Sequence, residues 1–194
     1  YVHVTTPEVY GSTDGWVDED TVFNPSTPYA VSRAAGDMSL LAYHKNYCLP
    51  MIMTRAANVY GPGQQLYRII PRAVMTALAG GKLQLHGGGV SERSFIHIDD
   101  VSAATQLATE TGKDGACYHI STDYQVTIRE LVEMILTELS VDFKNAVEIV
   151  HDRRGKDQSY LLSSERLREL GWSDRITLEE GVAQTIAWAR DHLE

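Results

Sequence analysis

Short apolar runs that end in polar residues alternate with stretches of helical periodicity along this chain, and that alternation restricts it to an α/β fold. The first run, Tyr1-Val-His-Val-Thr5, reads as a strand that passes directly into Thr6-Pro7-Glu8-Val9-Tyr10-Gly11. Ser26-Thr27-Pro28 then offers N-cap residues followed by proline at the first helical position. The helix it opens has Val31, Ala34, Ala35, Met38, Leu41 and Ala42 at helical spacing. Met51 to Thr54 reads as a buried strand, and Leu66, Ile69, Ile70, Ala73, Val74, Ala77 and Leu78 form the apolar stripe of a second helix ended by Gly80-Gly81. Further short strands are expected at residues 83–85, 95–98, 117–120, 147–150 and 160–162. Asp99 or Asp100 caps a helix through Val101, Ala104, Leu107 and Ala108, and Ser163 starts a brief one that ends at Gly171. Thr127-Ile-Arg-Glu130 and Thr177-Leu-Glu-Glu180 both have the capping-box pattern at helix starts.

At 194 residues, 43% hydrophobic and 22% charged, the chain has apolar material for one domain, or for one domain with an appended lobe. Its net charge of −9 argues against a nucleic-acid surface and against attraction to an anionic membrane. No apolar run approaches the length of a transmembrane helix, and no signal peptide opens the chain. Cys48 and Cys117 form neither a metal-ligand spacing nor a disulfide framework, and read as reduced thiols of a cytoplasmic protein. The histidines show no paired ligand spacing, so no metal site is expected.

The chemistry lies at the strand ends. Thr5, Thr6 and Glu8 close the first strand, where α/β folds place ligands. Thr6 can hydrogen-bond a substrate hydroxyl and Glu8 can take a proton from carbon; the other reading is a plain strand-to-turn transition. Tyr29 and Arg33 are i and i+4, so they share a helix face near the positive end of the helix dipole. They form an acid–base pair, or a tyrosine at the core edge beside a solvated arginine. Asn58, before Gly61-Pro62, contacts a polar ligand or stabilises a turn. Arg68 and Arg72, Arg93, and Arg153-Arg154 form a diphosphate clamp or are scattered surface charges. Gly87-Gly88-Gly89 sits between short strands and reads as a turn rather than a nucleotide loop.

Taken in order, six segments resemble the extended short-chain dehydrogenase/reductase family, and within it the nucleotide-sugar 4,6-dehydratases. They are Thr5-Thr-Pro-Glu-Val-Tyr-Gly11, Pro25-Ser-Thr-Pro-Tyr-Ala-Val-Ser-Arg33, Asn58-Val-Tyr-Gly-Pro62, Ile69-Ile-Pro71, the stretch from Arg93-Ser-Phe95 to Asp99-Asp-Val101, and Leu170-Gly-Trp172. The likeness runs over essentially the whole chain. It implies the C-terminal part of a Rossmann-type doubly wound sheet plus a smaller mixed α/β lobe. Residues 1–62 would hold the rest of the dinucleotide-binding domain with the catalytic tyrosine, and 63–194 mainly the nucleotide-sugar lobe, with some segments returning to the sheet.

The resemblance also implies the chemistry of an enzyme that keeps NAD bound: hydride leaves sugar C4, water is lost across C5 and C6, and hydride returns at C6. Tyr29 would be the base for the C4 hydroxyl, with Thr6 on the same oxygen, and Glu8 would remove the C5 proton. Thr5, Tyr29 and Arg33 would face NAD; Asn58, Arg68, Arg93 and Arg153 would hold the nucleotide-diphosphate sugar. A homodimer is the expected assembly. Four positions depart from the family's pattern: Arg33 replaces its lysine, Pro7 its acid aspartate, His119 an asparagine and Gln158 a phosphate-binding arginine. The family's glycine-rich first turn is not in the chain, so a fragment, inactive by itself, is expected. A related epimerase or decarboxylase, and a non-catalytic sugar-nucleotide-binding module without NAD, are the competing expectations.

Overall fold

The structure, a computed structural model, describes residues 1–13, 15–151 and 161–192. Its strands are β1 (Val2–Thr5), β2 (Trp16–Val17), β3 (Ile52–Ala56), β4 (Asn58–Tyr60), β5 (Leu83–His86), β6 (Glu92–Arg93), β7 (Phe95–His97), β8 (Cys117–Ile120), β9 (Val126–Thr127), β10 (Val147–Val150) and β11 (Leu161–Leu162). Its helices are α1 (Pro28–Tyr47), α2 (Ile69–Leu78), α3 (Ile98–Thr111), α4 (Ile128–Glu138), α5 (Phe143–Ala146), α6 (Glu165–Arg168) and α7 (Leu178–His192). A short 3-10 turn, Pro7–Tyr10, follows β1.

The fold is α/β, built on a parallel sheet in the order β1-β3-β8. Its register aligns Thr5 with Arg55 and Arg55 with His119, one row across the three strands. Thr27 caps α1, its hydroxyl accepting from the Ala30 N–H at 3.1 Å, and Pro28 fixes the first helical φ. The helix stops at Cys48, which takes a left-handed φ of 55°. A second core lies away from this sheet, where α2, α4 and α7 bury Ile70, Val74, Leu131, Ile135, Val182 and Ile186 around β5. Both capping boxes form: Glu130 accepts from the Thr127 N–H at 2.7 Å, and Glu180 from the Thr177 N–H at 3.0 Å.

Four expectations are corrected. The sheet-facing side of α1 is Ala30, Ala34 and Asp37, while Val31, Met38 and Leu41 from the expected apolar stripe are exposed. Small alanines let the helix approach the strands, and polar side chains make its strongest contacts there. Leu66 lies outside α2 and is exposed, and Arg68 is the N-cap of α2, its carbonyl accepting from the Arg72 N–H at 2.9 Å. The cap of α3 is His97, whose Nδ1 accepts from the Asp99 N–H at 3.3 Å. Asp100 is instead buried, and its carboxylate accepts from the Arg175 and Ile176 N–H groups, tying α3 to the segment before α7. Asn58 opens β4 opposite Phe95 rather than ending a strand. The expected strand at 147–150 forms and pairs with β5, and residue 160 lies outside the described residues. Among the described residues no helix is long and apolar enough to cross a membrane.

Gly181 marks the tightest helix contact in the second core. A Cβ there would overlap the hydroxyl and ring of Tyr60, which is buried and donates to the Thr177 carbonyl at 3.3 Å. Gly181→Ala should therefore lower stability by about 2 kcal/mol despite alanine's better helix propensity, as measured by urea denaturation; an unchanged midpoint would rule out this packing.

Candidate active site

The sheet's first strand delivers two of the predicted residues directly. Thr6 is the N-cap of the 3-10 turn that Pro7 opens, so its extended backbone turns the chain over the carboxyl end of β1. Its hydroxyl donates to Glu8 Oε2 at 3.2 Å, which holds the hydroxyl and the carboxylate together. Gly11 closes the turn at φ 66°, and a Cβ there would run into the Asn24 carbonyl oxygen.

Helix α1 brings Tyr29 and Arg33 to the same end. Asp37 receives the His3 ring at 3.2 Å, and Arg33 Nη2 donates to the Val4 carbonyl at 2.6 Å, so α1 runs antiparallel along β1. From Asp37 back to Tyr29 the helix climbs about 12 Å. That distance corresponds to between three and four strand residues at about 3.3 Å each, which takes Tyr29 from the level of His3 to that of Thr6. Its ring is 56% exposed and open to a ligand. Two polar atoms in this region, Thr5 Oγ1 and Arg33 Nε, are buried with no hydrogen-bond partner.

The other predicted contacts are spread more widely. Asn58 donates through Nδ2 to the Ser94 carbonyl at 3.0 Å, and the buried Arg93 donates to the Glu92 carbonyl at 2.7 Å, so both lie beside the β4–β7 pair. Arg68 is exposed, its guanidinium 5.5 Å from the Tyr67 ring centre. Arg153 and Gln158 lie outside the described residues. Gly87–Gly89 is a tight turn with positive φ at each glycine, and its third glycine abuts the Arg129 amide. It joins β5 to β6, not a strand to a helix.

A buried polar cluster under the site was not expected. Arg55 is 1% exposed; Nη2 pairs with Asp37 at 2.8 Å and Nη1 donates to Tyr10 Oη at 2.8 Å and to Cys117 Sγ at 3.1 Å. Tyr10 Oη also meets His119 Nε2 at 2.8 Å, and the His119 N–H donates to Glu19 at 2.8 Å. Burial works against Arg55's charge, but its neighbours more than offset that and push its pKa up. Burial likewise pushes the Tyr10 phenol upward and the Cys117 thiol up to about 12, so both stay protonated at neutral pH. One signal was available: an arginine directly after the apolar run Met51–Thr54 needs a buried acid if the strand continues through it, as β3 does, and Asp37 lies on the helix before it.

A parallel sheet with helices packed on it, whose first strand passes into a turn that carries a hydroxyl and a carboxylate, defines a Rossmann-type α/β fold. The chain belongs to the GDP-mannose 4,6 dehydratase family, whose model matches residues 1–185. It is 36% identical to dTDP-glucose 4,6-dehydratase of Streptomyces griseus over 99% of this chain, and spans 59% of that relative's length. Among solved structures, dTDP-glucose 4,6-dehydratase of Streptomyces venezuelae with NAD bound superposes with a TM-score of 0.94 at 39% identity, over 98% of this chain and 60% of that one. The UDP-glucuronic acid 4-epimerase of Bacillus cereus, also in complex with NAD, gives a TM-score of 0.92 at 26% identity, over 98% of this chain and 61% of that one.

Burial, followed by the Arg55 charge, pushes His119 down to about 3 from 6.5. The folded state keeps the ring neutral while the unfolded chain takes up a proton below 6.5, so this contribution is complete above that pH. It is lost as pH falls toward 3, at up to about 1.4 kcal/mol per pH unit. His119→Asn should flatten the fall of stability between these limits, measured by urea midpoints at successive pH values. Parallel slopes in the two proteins would contradict a neutral buried His119. Glu19, raised by burial, contributes the opposite slope in both and cancels from the comparison.

Proposed function

We propose that this chain is the catalytic and sugar-nucleotide-binding part of an NAD-dependent nucleotide-sugar 4,6-dehydratase. The observation that carries the reading is the Thr6–Glu8 hydrogen bond at the carboxyl end of β1, with Arg33 bonded to the Val4 carbonyl next to it; Tyr29, one turn before Arg33 on α1, is assigned to the same site. Tyr29 takes the proton of the sugar C4 hydroxyl while Thr6 holds that oxygen. Arg33, one helical turn on, brings positive charge to the same end of the helix.

Glu8 is the only carboxylate of its turn, because Pro7 stands beside it and carries no exchangeable proton. We assign both proton movements of the elimination to it. Its carboxylate takes the C5 proton; the freed electron pair forms the C5–C6 double bond; the C6–O bond breaks, and the same proton leaves with that oxygen as water. The Thr6 hydroxyl has a single proton, donated to Glu8 Oε2 here and passed to the C4 oxygen when the sugar binds.

NAD, when bound, would accept hydride from C4 and return it to C6, while C5 regains a proton from solvent and Tyr29 gives up to solvent the one it took from the C4 hydroxyl. The buried, unpartnered Thr5 Oγ1 and Arg33 Nε fit the ribose hydroxyls of such a cofactor, with Tyr29 facing the same group. The 194-residue sequence has no G-x-G-x-x-G turn to cradle the pyrophosphate, and the chain alone is taken to be inactive. Asn58, Arg68 and Arg93 are assigned to the sugar nucleotide, with Arg153 added on the family resemblance. The outward Val31, Met38 and Leu41 of α1 are assigned to a homodimer contact.

Incubating the full-length protein with dTDP-glucose and NAD should yield the 4-keto-6-deoxy sugar; a C4 epimer, or binding without turnover, would sink the dehydratase reading. Glu8→Gln should cut product formation by about 100-fold or more, with a 4-keto hexose that keeps its C6 hydroxyl accumulating. Loss of C4 oxidation as well would assign Glu8 a different role. Met38→Glu should convert the full-length protein from dimer to monomer by analytical ultracentrifugation, and a monomeric parent would refute the contact.

A further inference from the structure

Arg55 lies on the middle strand, in the row that Thr5 and His119 share, one residue short of where β1 gives way to the Thr6–Glu8 turn. Its two terminal nitrogens go to different elements. Nη1 donates to Tyr10, the last residue of the turn that carries Glu8. Nη2 pairs with Asp37, two helical turns beyond Tyr29 and one beyond Arg33 on α1. The guanidinium also stacks 4.9 Å from the Phe23 ring centre, on the segment that links turn to helix. Each partner is itself held: Tyr10 by His119 at 2.8 Å, Asp37 by His3 at 3.2 Å.

We infer that Arg55 is a positioning residue that sets Glu8 and Tyr29 at a fixed separation, by gripping the Glu8 turn through Tyr10 and the Tyr29 helix through Asp37. The planar fork of arginine suits this role, since its two ends are rigidly spaced and cannot follow either partner independently. Arg55 touches no substrate and transfers no proton. Its effect is geometric: two groups that act on adjacent sugar carbons must share one frame, and a displacement near 1 Å costs about 100-fold in rate. The kinetic part of this role rests on the dehydratase reading; the two-armed grip does not.

The two arms can be cut separately. Tyr10→Phe keeps the ring and removes one arm; Asp37→Asn keeps the volume and removes the charge from the other. In hydrogen–deuterium exchange of the full-length protein, Tyr10→Phe should speed exchange of the Glu8–Gly11 amides by about tenfold and leave the start of α1 unchanged. Asp37→Asn should do the reverse, and Arg55→Lys should loosen both. Equal loosening of both segments in each single-arm variant, or loosening in neither, would overturn the grip.

With dTDP-glucose as probe, Tyr10→Phe should enlarge the isotope effect of C5-deuterated substrate, and Asp37→Asn that of C4-deuterated substrate. A merely structural role would slow both steps together, in proportion to lost thermal stability, and would overturn the positioning claim. If the parent protein does not turn over dTDP-glucose, the function reading fails on that result, and the exchange pattern by itself decides for or against the grip.

Discussion

The buried pair of Arg55 and Asp37 is the constraint on which the rest of this site depends. Two charges taken out of water are costly, and the cost is offset only where each is fully surrounded by partners. Here Asp37 accepts from Arg55 and meets His3, while Arg55 reaches Asp37, Tyr10 and Cys117 and lies against two rings. Because those partners come from β1, the following turn, α1, β3 and β8, these contacts form together only when all five elements are assembled, and Arg55 Nε still has no partner. Removal of either charge leaves the other stranded, a loss of about 3–5 kcal/mol. That is a large part of a domain's stability, so the pair ties folding and site assembly to one event.

The same requirement explains why α1 has its apolar residues on the outside. A helix packed on strands through Ala30 and Ala34 comes close enough for Arg33 to reach the Val4 carbonyl and for Asp37 to reach β3. Bulky side chains on that face would push it away and break both contacts. Val31, Met38 and Leu41 are then turned outward, away from this sheet.

Much of the architecture was legible because it is written locally. The strands at residues 83–85 and 117–120 and both capping boxes need only nearby residues to form. The misreadings have one physical origin: the partner lies far off in sequence. Asp100 looked like a helix cap, but its carboxylate is drawn to Arg175 and Ile176 across the fold. Val31 and Met38 fit a helical stripe, and no local rule says which side of a helix the sheet will take. Thr6, Glu8, Tyr29 and Arg33 came from their types and order, yet the residues beneath them, Tyr10, Asp37, Arg55 and His119, could be joined only by the parallel register of β1, β3 and β8.

Pro7 and Arg33, where the chain leaves the family's pattern, become intelligible in this frame. Pro7 occupies the first position of the 3-10 turn, where its missing N–H costs nothing and its fixed φ stiffens the link from Thr6 to Glu8. An acid there would add a second proton donor; proline instead gives a more rigid single carboxylate, already hydrogen-bonded to Thr6. Arg33 uses Nη2 on the Val4 carbonyl, a bond that anchors its long side chain to the strand and still leaves Nε facing inward without a partner. A lysine making the same anchor would have only its single nitrogen for both tasks. Both substitutions thus exchange a mobile or additional group for a fixed one, beside a turn and a helix that one guanidinium already joins.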